Sequence, residues 1–314
     1  MPPRILIAEP LDFSPEAVRI LQAAGEVKLR ECGRDDLQNA FGEYDVVWLR
    51  LAHRIDRAML GSRPRCRILA VPVTGLDHVD LAACAECGIR VISLKGETEF
   101  LKNVRATAEL TVGLAIALLR RIPAASASVA AGHWNRDLFR GRELFGRTAG
   151  IVGLGRLGTI VAGYLRAFGM TVLGYDPRDD FPTAAAERID TLEAMLQRCD
   201  LIIVLARYEA STRHLLGPRQ FAAMRHGAAL VNTSRGGIID DAALLAALES
   251  GRLAGAALDV LDGEPDIRPD HPLLVYARDH DNLLIVPHIG GNTRESFEKT
   301  EIFLAGKVVE ALRA

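Results

Sequence analysis

No feature of this sequence constrains its fold more than the run Gly150-Ile-Val-Gly153-Leu-Gly155-Arg156-Leu157-Gly158. A short apolar stretch enters it and a helical pattern over 157–168 leaves it, so the glycines stand at a strand-to-helix turn. Gly153 would permit the tight turn, Gly155 would let the backbone approach a pyrophosphate, and Gly158 would let helix and strand pack closely. The amides of Arg156 and Leu157 would then face the phosphates at a helix N-terminus, where the helix dipole favours anions. An acidic residue is expected about 20 positions on, at the end of the next strand. Asp176 stands there, 18 residues after Gly158. Its carboxylate would accept hydrogen bonds from a ribose diol and repel a 2′-phosphate, which points to NAD. Arg178, two residues further, could contact a phosphate and keeps NADP as the alternative.

The rest of the chain has the alternation such a turn requires. Strands are expected at 5–8, 27–30, 46–49, 68–71 and 91–93, with helical patterns between them at 15–24, 34–40, 56–60 and 81–87. Ser14-Pro15-Glu16 is a start signal for the first of these helices. A long apolar helix over 104–121 follows, ended by Pro123 and a connection dotted with glycines. The pattern then restarts, with strands at 150–152, 171–175, 201–205, 229–232, 255–258 and 283–286 and helices that include 157–168, 191–198 and 241–250. Asp240 and Gly251 bracket the last of these as cap and stop, and a helical stretch over 295–312 closes the chain. Alternation of this kind argues for βαβ units and parallel sheets, an α/β fold with two doubly wound domains.

Composition removes several function classes. Lys and Arg number 38 against 40 Asp and Glu, a net charge of −2 with mixed signs, so there is no footprint for nucleic acid or an anionic membrane. An apolar share of 49% and a charged share of 25% exclude disorder, collagen-like fibre and coiled coil. Five cysteines, an odd number, do not make a disulfide framework. Cys84 and Cys87 form one CxxC without a second ligand pair, so they read as idle thiols and no metal is expected. The apolar run before Glu9 and Pro10 is too short for a signal peptide, and the longest apolar run, 110–119, is half a membrane span. A cytoplasmic protein is expected.

Three stretches carry candidate chemistry: Val231-Asn232-Thr233-Ser234-Arg235-Gly-Gly, Leu258-Asp259-Val-Leu-Asp-Gly-Glu264-Pro265 and Val286-Pro287-His288-Ile-Gly290-Gly. Each follows a strand-like run and so belongs at a strand's C-terminal end, where open α/β sheets bind ligands. His288 could move a proton, Glu264 could hold and charge it, and Arg235 could grip a 2-keto or 2-hydroxy acid.

These stretches, with Gly75-Leu-Asp77-His78-Val-Asp80, Ala108-Glu109, Gly132-His-Trp134 and the glycine run, resemble the D-isomer-specific 2-hydroxyacid dehydrogenase family over nearly the whole chain. The resemblance implies a Rossmann NAD-binding domain, 101–287, inserted into a flavodoxin-like substrate domain made of 1–100 and 288–314. Two crossing segments would then act as a hinge, with His288 at one of them. It implies Arg235, Glu264 and His288 as the catalytic set, with 29 residues from Arg to Glu and 24 from Glu to His. It also implies that Asp259 anchors the nicotinamide carboxamide and that Thr233, Ser234, Arg235, His288 and Gly290 line the cofactor. Thr74 and Gly75 would offer backbone amides to the substrate carboxylate or the cofactor. Arg50 falls where phosphoglycerate dehydrogenases meet a substrate phosphate. The substrate would be a small 2-keto or D-2-hydroxy acid, and the protein a homodimer joined through the cofactor domain and the helix over 104–121. Asp80 and Trp134 read as structural.

Two departures from the family pattern stand out. Arg207-Tyr208 replaces a usual Pro-Leu pair, so Arg207 could alter contacts at the adenosine end of the cofactor. The segment 93–102 is about five residues longer than usual and could reshape the cleft. Two other readings stay open: an NADH-sensing binding protein of the co-repressor kind, and a phosphite-type dehydrogenase of the same superfamily.

Overall fold

Period-two alternation decides the layers of this molecule. In the computed structural model, which describes residues 1–314, Ile5 and Ile7 point to one face of the first strand and Leu6 and Ala8 to the other. All four are fully buried. A strand apolar on both faces needs helices on both, which parallel sheets with crossover helices supply.

The chain runs β1 (Arg4–Ile7), α1 (Pro15–Gln22), β2 (Glu26–Leu29), α2 (Arg34–Glu43), β3 (Val46–Trp48), α3 (Arg57–Leu60), β4 (Ile68–Val71), α4 (Leu81–Glu86), β5 (Arg90–Ser93) and α5 (Thr98–Leu101). It continues with α6 (Ala106–Leu119), α7 (Ile122–Ala130), β6 (Thr148–Val152), α8 (Arg156–Ala167), β7 (Thr171–Tyr175), β8 (Glu187–Arg188), α9 (Leu192–Leu196) and β9 (Leu201–Val204). It ends with α10 (Pro218–Ala223), β10 (Ala228–Asn232), α11 (Asp241–Glu249), β11 (Leu253–Leu258), α12 (Pro272–Asp279), β12 (Leu283–Ile285) and α13 (Arg294–Arg313). Two compact units result: Met1–Val104 with Asn292–Ala314, and Arg105–Gly291. The crossings lie four residues beyond positions 100 and 287, so His288 falls in the second unit rather than at the start of the first unit's return segment.

The first unit has a five-stranded parallel sheet in the order β2-β1-β3-β4-β5, the flavodoxin-like arrangement. Ser14 caps α1 by accepting from the Ala17 amide, with Pro15 in the first turn. α13 covers one face of the sheet with Leu304, Ala305 and Val308, packed on a cluster that includes Ile5, Leu21 and Trp48. It also carries the fully buried Glu301, which accepts from the Ser14 amide at 2.7 Å and from Arg50 Nη2 at 2.5 Å. The long segment 93–102 folds back on the same helix. Phe100 stacks on Phe303 with ring centroids 3.9 Å apart, and Lys307 pairs with Glu97.

The second unit has a seven-stranded parallel sheet in the order β12-β11-β10-β9-β6-β7-β8, the Rossmann order with one strand added. The order reverses between β6 and β9, which sets the ligand crevice at their C-terminal ends. α6 lies on this sheet and buries Thr111, Leu114, Ala115 and Leu118. The expectation that Pro123 leads into a glycine-dotted connection needs correction. Arg121 turns at φ +52°, and Pro123 then sits in the first turn of α7, where its missing N–H costs nothing. α7 buries none of its residues, and Ile122, Val129, Trp134, Leu138 and Phe145 are left exposed along 122–145. No single helix is long and apolar enough to cross a membrane.

The five thiols are free. Four are buried, and burial pushes Cys84 up to about 11 and Cys66 up to about 12.

Candidate active site

The glycine loop between β6 and α8 has a separate steric reason for each of its three glycines. Gly153 turns at φ +93°, and a methyl there would stand 2.6 Å from the backbone of Ala206, two residues beyond β9. Gly158 packs so closely on Gly153 that a methyl would overlap the Gly153 carbonyl oxygen. Gly155 is the N-cap of α8, and the space before it is open. Arg156 and Leu157 open the helix just behind it, and no N-cap side chain takes up its first amides. This is a cradle that a pyrophosphate fits.

Asp176 follows β7 and is almost fully buried. Its Oδ2 accepts from the Leu154 amide at 2.9 Å, which ties the glycine loop to the neighbouring strand end. Burial pushes this carboxyl up, but hydrogen bonds from the Arg178 side chain and from two backbone amides outweigh it and hold the group below its ordinary value. Arg207, after β9, is exposed and lies 3.6 Å from Glu209. The Tyr208 ring beside it lies over Gly237.

Strand register brings the three candidate stretches together. Asn232 of β10 pairs with Leu258 of β11, and Leu258 pairs with Ile285 of β12, so the segments carrying Arg235, Glu264 and His288 leave the sheet side by side. After β10, Asn232 organises the turn: its Oδ1 accepts from the Ser234 amide and hydroxyl, and its Nδ2 donates to the Arg235 carbonyl at 3.0 Å. Thr233 shares a buried hydrogen bond of 2.7 Å with Thr111 of α6. Gly236 lies so close to the Leu261–Asp262 backbone that no side chain fits there, which holds the Arg235 turn against the next segment. Arg235 Nη1 donates to the Ser234 carbonyl.

His288 Nδ1 meets Glu264 Oε2 at 3.0 Å, both groups about three-quarters buried. An ionised carboxylate can only accept, so Nδ1 carries the hydrogen in this pair. His288 itself is held at φ +52°, and its amide donates to the Asp259 carbonyl at 2.8 Å. The Asp259 carboxylate accepts from the next two amides, Ile289 at 2.7 Å and Gly290 at 2.9 Å. Burial raises Asp259 to about 6, against the pull of those amides and of His288. A side chain at Gly290 would meet Asp259 Oδ2 at 2.7 Å, which is the structural reason for glycine there. Asn232 and Thr111 were not singled out from the sequence. Their only signal is a polar residue at the end of an apolar strand and another inside an apolar helix.

The remaining expected residues belong to the first unit. Thr74 and Gly75 follow β4, Thr74 exposed and Gly75 half-buried. Arg50 follows β3, but its guanidinium is turned inward. It donates to Glu301 and to the Leu11 carbonyl at 3.0 Å, and it lies 4.2 Å from the Phe297 ring centre.

Comparison with known proteins places this geometry among relatives. A family model described as D-isomer specific 2-hydroxyacid dehydrogenase, NAD binding domain, matches residues 112–290. A D-3-phosphoglycerate dehydrogenase of Methanocaldococcus jannaschii is 34% identical over 314 residues, covering 99% of this chain but 57% of that protein. The chain thus spans little more than half the length of that relative. A hydroxypyruvate reductase of Thermotoga maritima is 32% identical over 309 residues, 98% of each chain. The crystal structure of D-lactate dehydrogenase from Aquifex aeolicus, complexed with NAD and lactic acid, matches with a TM-score of 0.83 at 26% identity, over 98% of this chain and 94% of that one.

Proposed function

The chain belongs to the D-isomer specific 2-hydroxyacid dehydrogenase family, and on that premise we propose that it transfers a hydride between NAD and C2 of a small 2-keto or D-2-hydroxy acid. The observation that carries this reading is the hydrogen bond from His288 Nδ1 to Glu264, set at the strand ends beside the Arg235 turn. Bound NADH supplies the hydride. With Nδ1 committed to Glu264, Nε2 of His288 is the atom that hands a proton to the substrate carbonyl oxygen or takes it back. Arg235 pairs with the substrate carboxylate and polarises the carbonyl. Asp259 fixes the backbone on which His288 stands, through the amides of Ile289 and Gly290.

Arg50 bears on the choice of acid. Its engagement with the buried Glu301 takes up the cation that a substrate phosphate would need, which favours an unphosphorylated acid such as hydroxypyruvate or glyoxylate. The test is to mix the protein and NADH with glyoxylate, hydroxypyruvate, phosphohydroxypyruvate and bulkier 2-keto acids and to follow NADH oxidation. The unphosphorylated acids should turn over faster. His288→Asn should lower the rate by about 10²–10⁴-fold, the usual weight of general acid catalysis. NADH binding without turnover of any acid, or an undiminished rate in His288→Asn, would sink the assignment. We also propose a homodimer, formed through the exposed apolar residues of α7 and 122–145.

A further inference from the structure

At the end of β7 the Asp176 carboxylate is already engaged by the chain's own donors. Oδ2 accepts from the Leu154 amide at 2.9 Å and from Arg178 Nη2 at 3.0 Å. Oδ1 accepts from the Arg178 amide at 3.1 Å and from Arg178 Nε at 2.9 Å. A carboxylate offers about four lone-pair sites, and these four bonds use them. A ribose diol that donates to Asp176 must therefore displace the guanidinium. The same bidentate pairing offsets the negative charge that would otherwise repel a 2′-phosphate. Of the two partners, the cation faces outward: the Arg178 side chain is 49% exposed and that of Asp176 7%. Its Nη1 edge reaches only Asp180, at 3.5 Å and itself 79% exposed, so that contact is weak and screened by salt.

We propose that Arg178 sets the cofactor selectivity of this chain and opens its ribose site to NADP(H) as well as NAD(H). The inference rests on the glycine loop and Asp176 being the dinucleotide site. With NAD(H), the diol takes the lone pairs that Nε and Nη2 release. With NADP(H), the guanidinium stays on Asp176 and turns its outer N–H groups to the phosphate, as a planar fork can and an ammonium cannot.

Equilibrium binding of NADH and NADPH, read by calorimetry or by nicotinamide fluorescence without any acid substrate, tests this. The proteins are the full chain and its Arg178→Gln and Arg178→Lys variants. The wild type should bind the two cofactors within about tenfold of each other. Arg178→Gln should hold NADH as well or better and shift the preference towards it by at least about fivefold, because a competitor for the diol and a partner for the phosphate are both lost. Arg178→Lys should fall between, keeping the charge without the fork. Rising salt should weaken NADPH more steeply than NADH in the wild type. A wild type that prefers NADH by more than about tenfold, or a Gln variant that shifts the ratio by less than about fivefold, overturns the proposal. A wild type that binds neither cofactor overturns the dinucleotide reading and the proposal with it.

Discussion

His288 stands in a left-handed backbone conformation that costs a non-glycine residue roughly 1–3 kcal/mol. The surroundings enforce it: the His288 amide on the Asp259 carbonyl, and the next two amides on the Asp259 carboxylate. Asp259 holds three donors from one loop, and burial lifts its carboxyl from 3.8 to about 6. The folded chain therefore keeps a proton that the unfolded chain gives up between about pH 4 and pH 6, so this residue's contribution to stability falls as pH rises through that window. Asp259→Asn has no such proton. Thermal unfolding of both proteins should show the difference moving in the variant's favour from about pH 4 to pH 6 and holding steady above. A difference that does not change with pH would mean the Asp259 carboxyl titrates near its ordinary value. The placement of Arg235, Glu264 and His288 after neighbouring strand ends was legible in the sequence, because polar residues that follow apolar strands fall on one edge of a parallel sheet. The two amide bonds of Asp259, and the support from Asn232 and Thr111, were not. The bonds of Asp259 and Thr111 join residues 30 to 122 positions apart, and no local pattern records them, while Asn232 reaches only Ser234 and Arg235 and shows in the sequence as no more than a polar residue ending an apolar strand.

Among the elements, α8 shows how closely helix and strand must approach. Gly158, in its first turn, touches the carbonyl of Gly153, so a methyl there must push the helix away from the loop. Gly158→Ala should cost about 1–3 kcal/mol by overpacking, and a unit of this size loses roughly 2–4 °C in Tm for each kcal/mol. NADH affinity should fall by about tenfold, since the displaced amides no longer converge. Calorimetry for unfolding and for binding checks both; an unchanged affinity would mean that α8 does not hold the phosphates. Most strands were legible within one or two residues, because runs such as Ile202–Ile203 with Leu201 and Val204 are buried on both faces. β8 is two residues of exposed Glu187 and Arg188 and has no apolar signal. α7 is masked in the sequence for a different reason. Pro123 marks a helix end or a helix start equally well, and Arg121 at positive φ makes it a start.

At the scale of the whole chain, the exposed apolar strip of α7 and 122–145 is the surface that the proposed homodimer would cover, whereas the longer α6 is used up inside its own unit. Sedimentation should find a dimer. Val129→Asp, at a half-exposed site, should give a monomer with an unchanged circular dichroism spectrum. A monomeric wild type would remove this interface. Two α/β units were legible from the restart of the strand pattern, but the positions of the crossings were not, because they fall in short loops, one between α5 and α6 and one between β12 and α13, that carry no signal of their own. The return of α13 to the first unit also bears on how the protein is made. Synthesis at about 5–20 residues per second completes the second unit as soon as Gly291 clears the ribosome. The first unit, although its strands emerge earliest, must wait with Ile5, Leu21 and Trp48 uncovered until residues 294–313 arrive. The opening segment of the chain is thus the last to be sheltered, and a ribosome that stops before α13 leaves an apolar face for chaperones to hold.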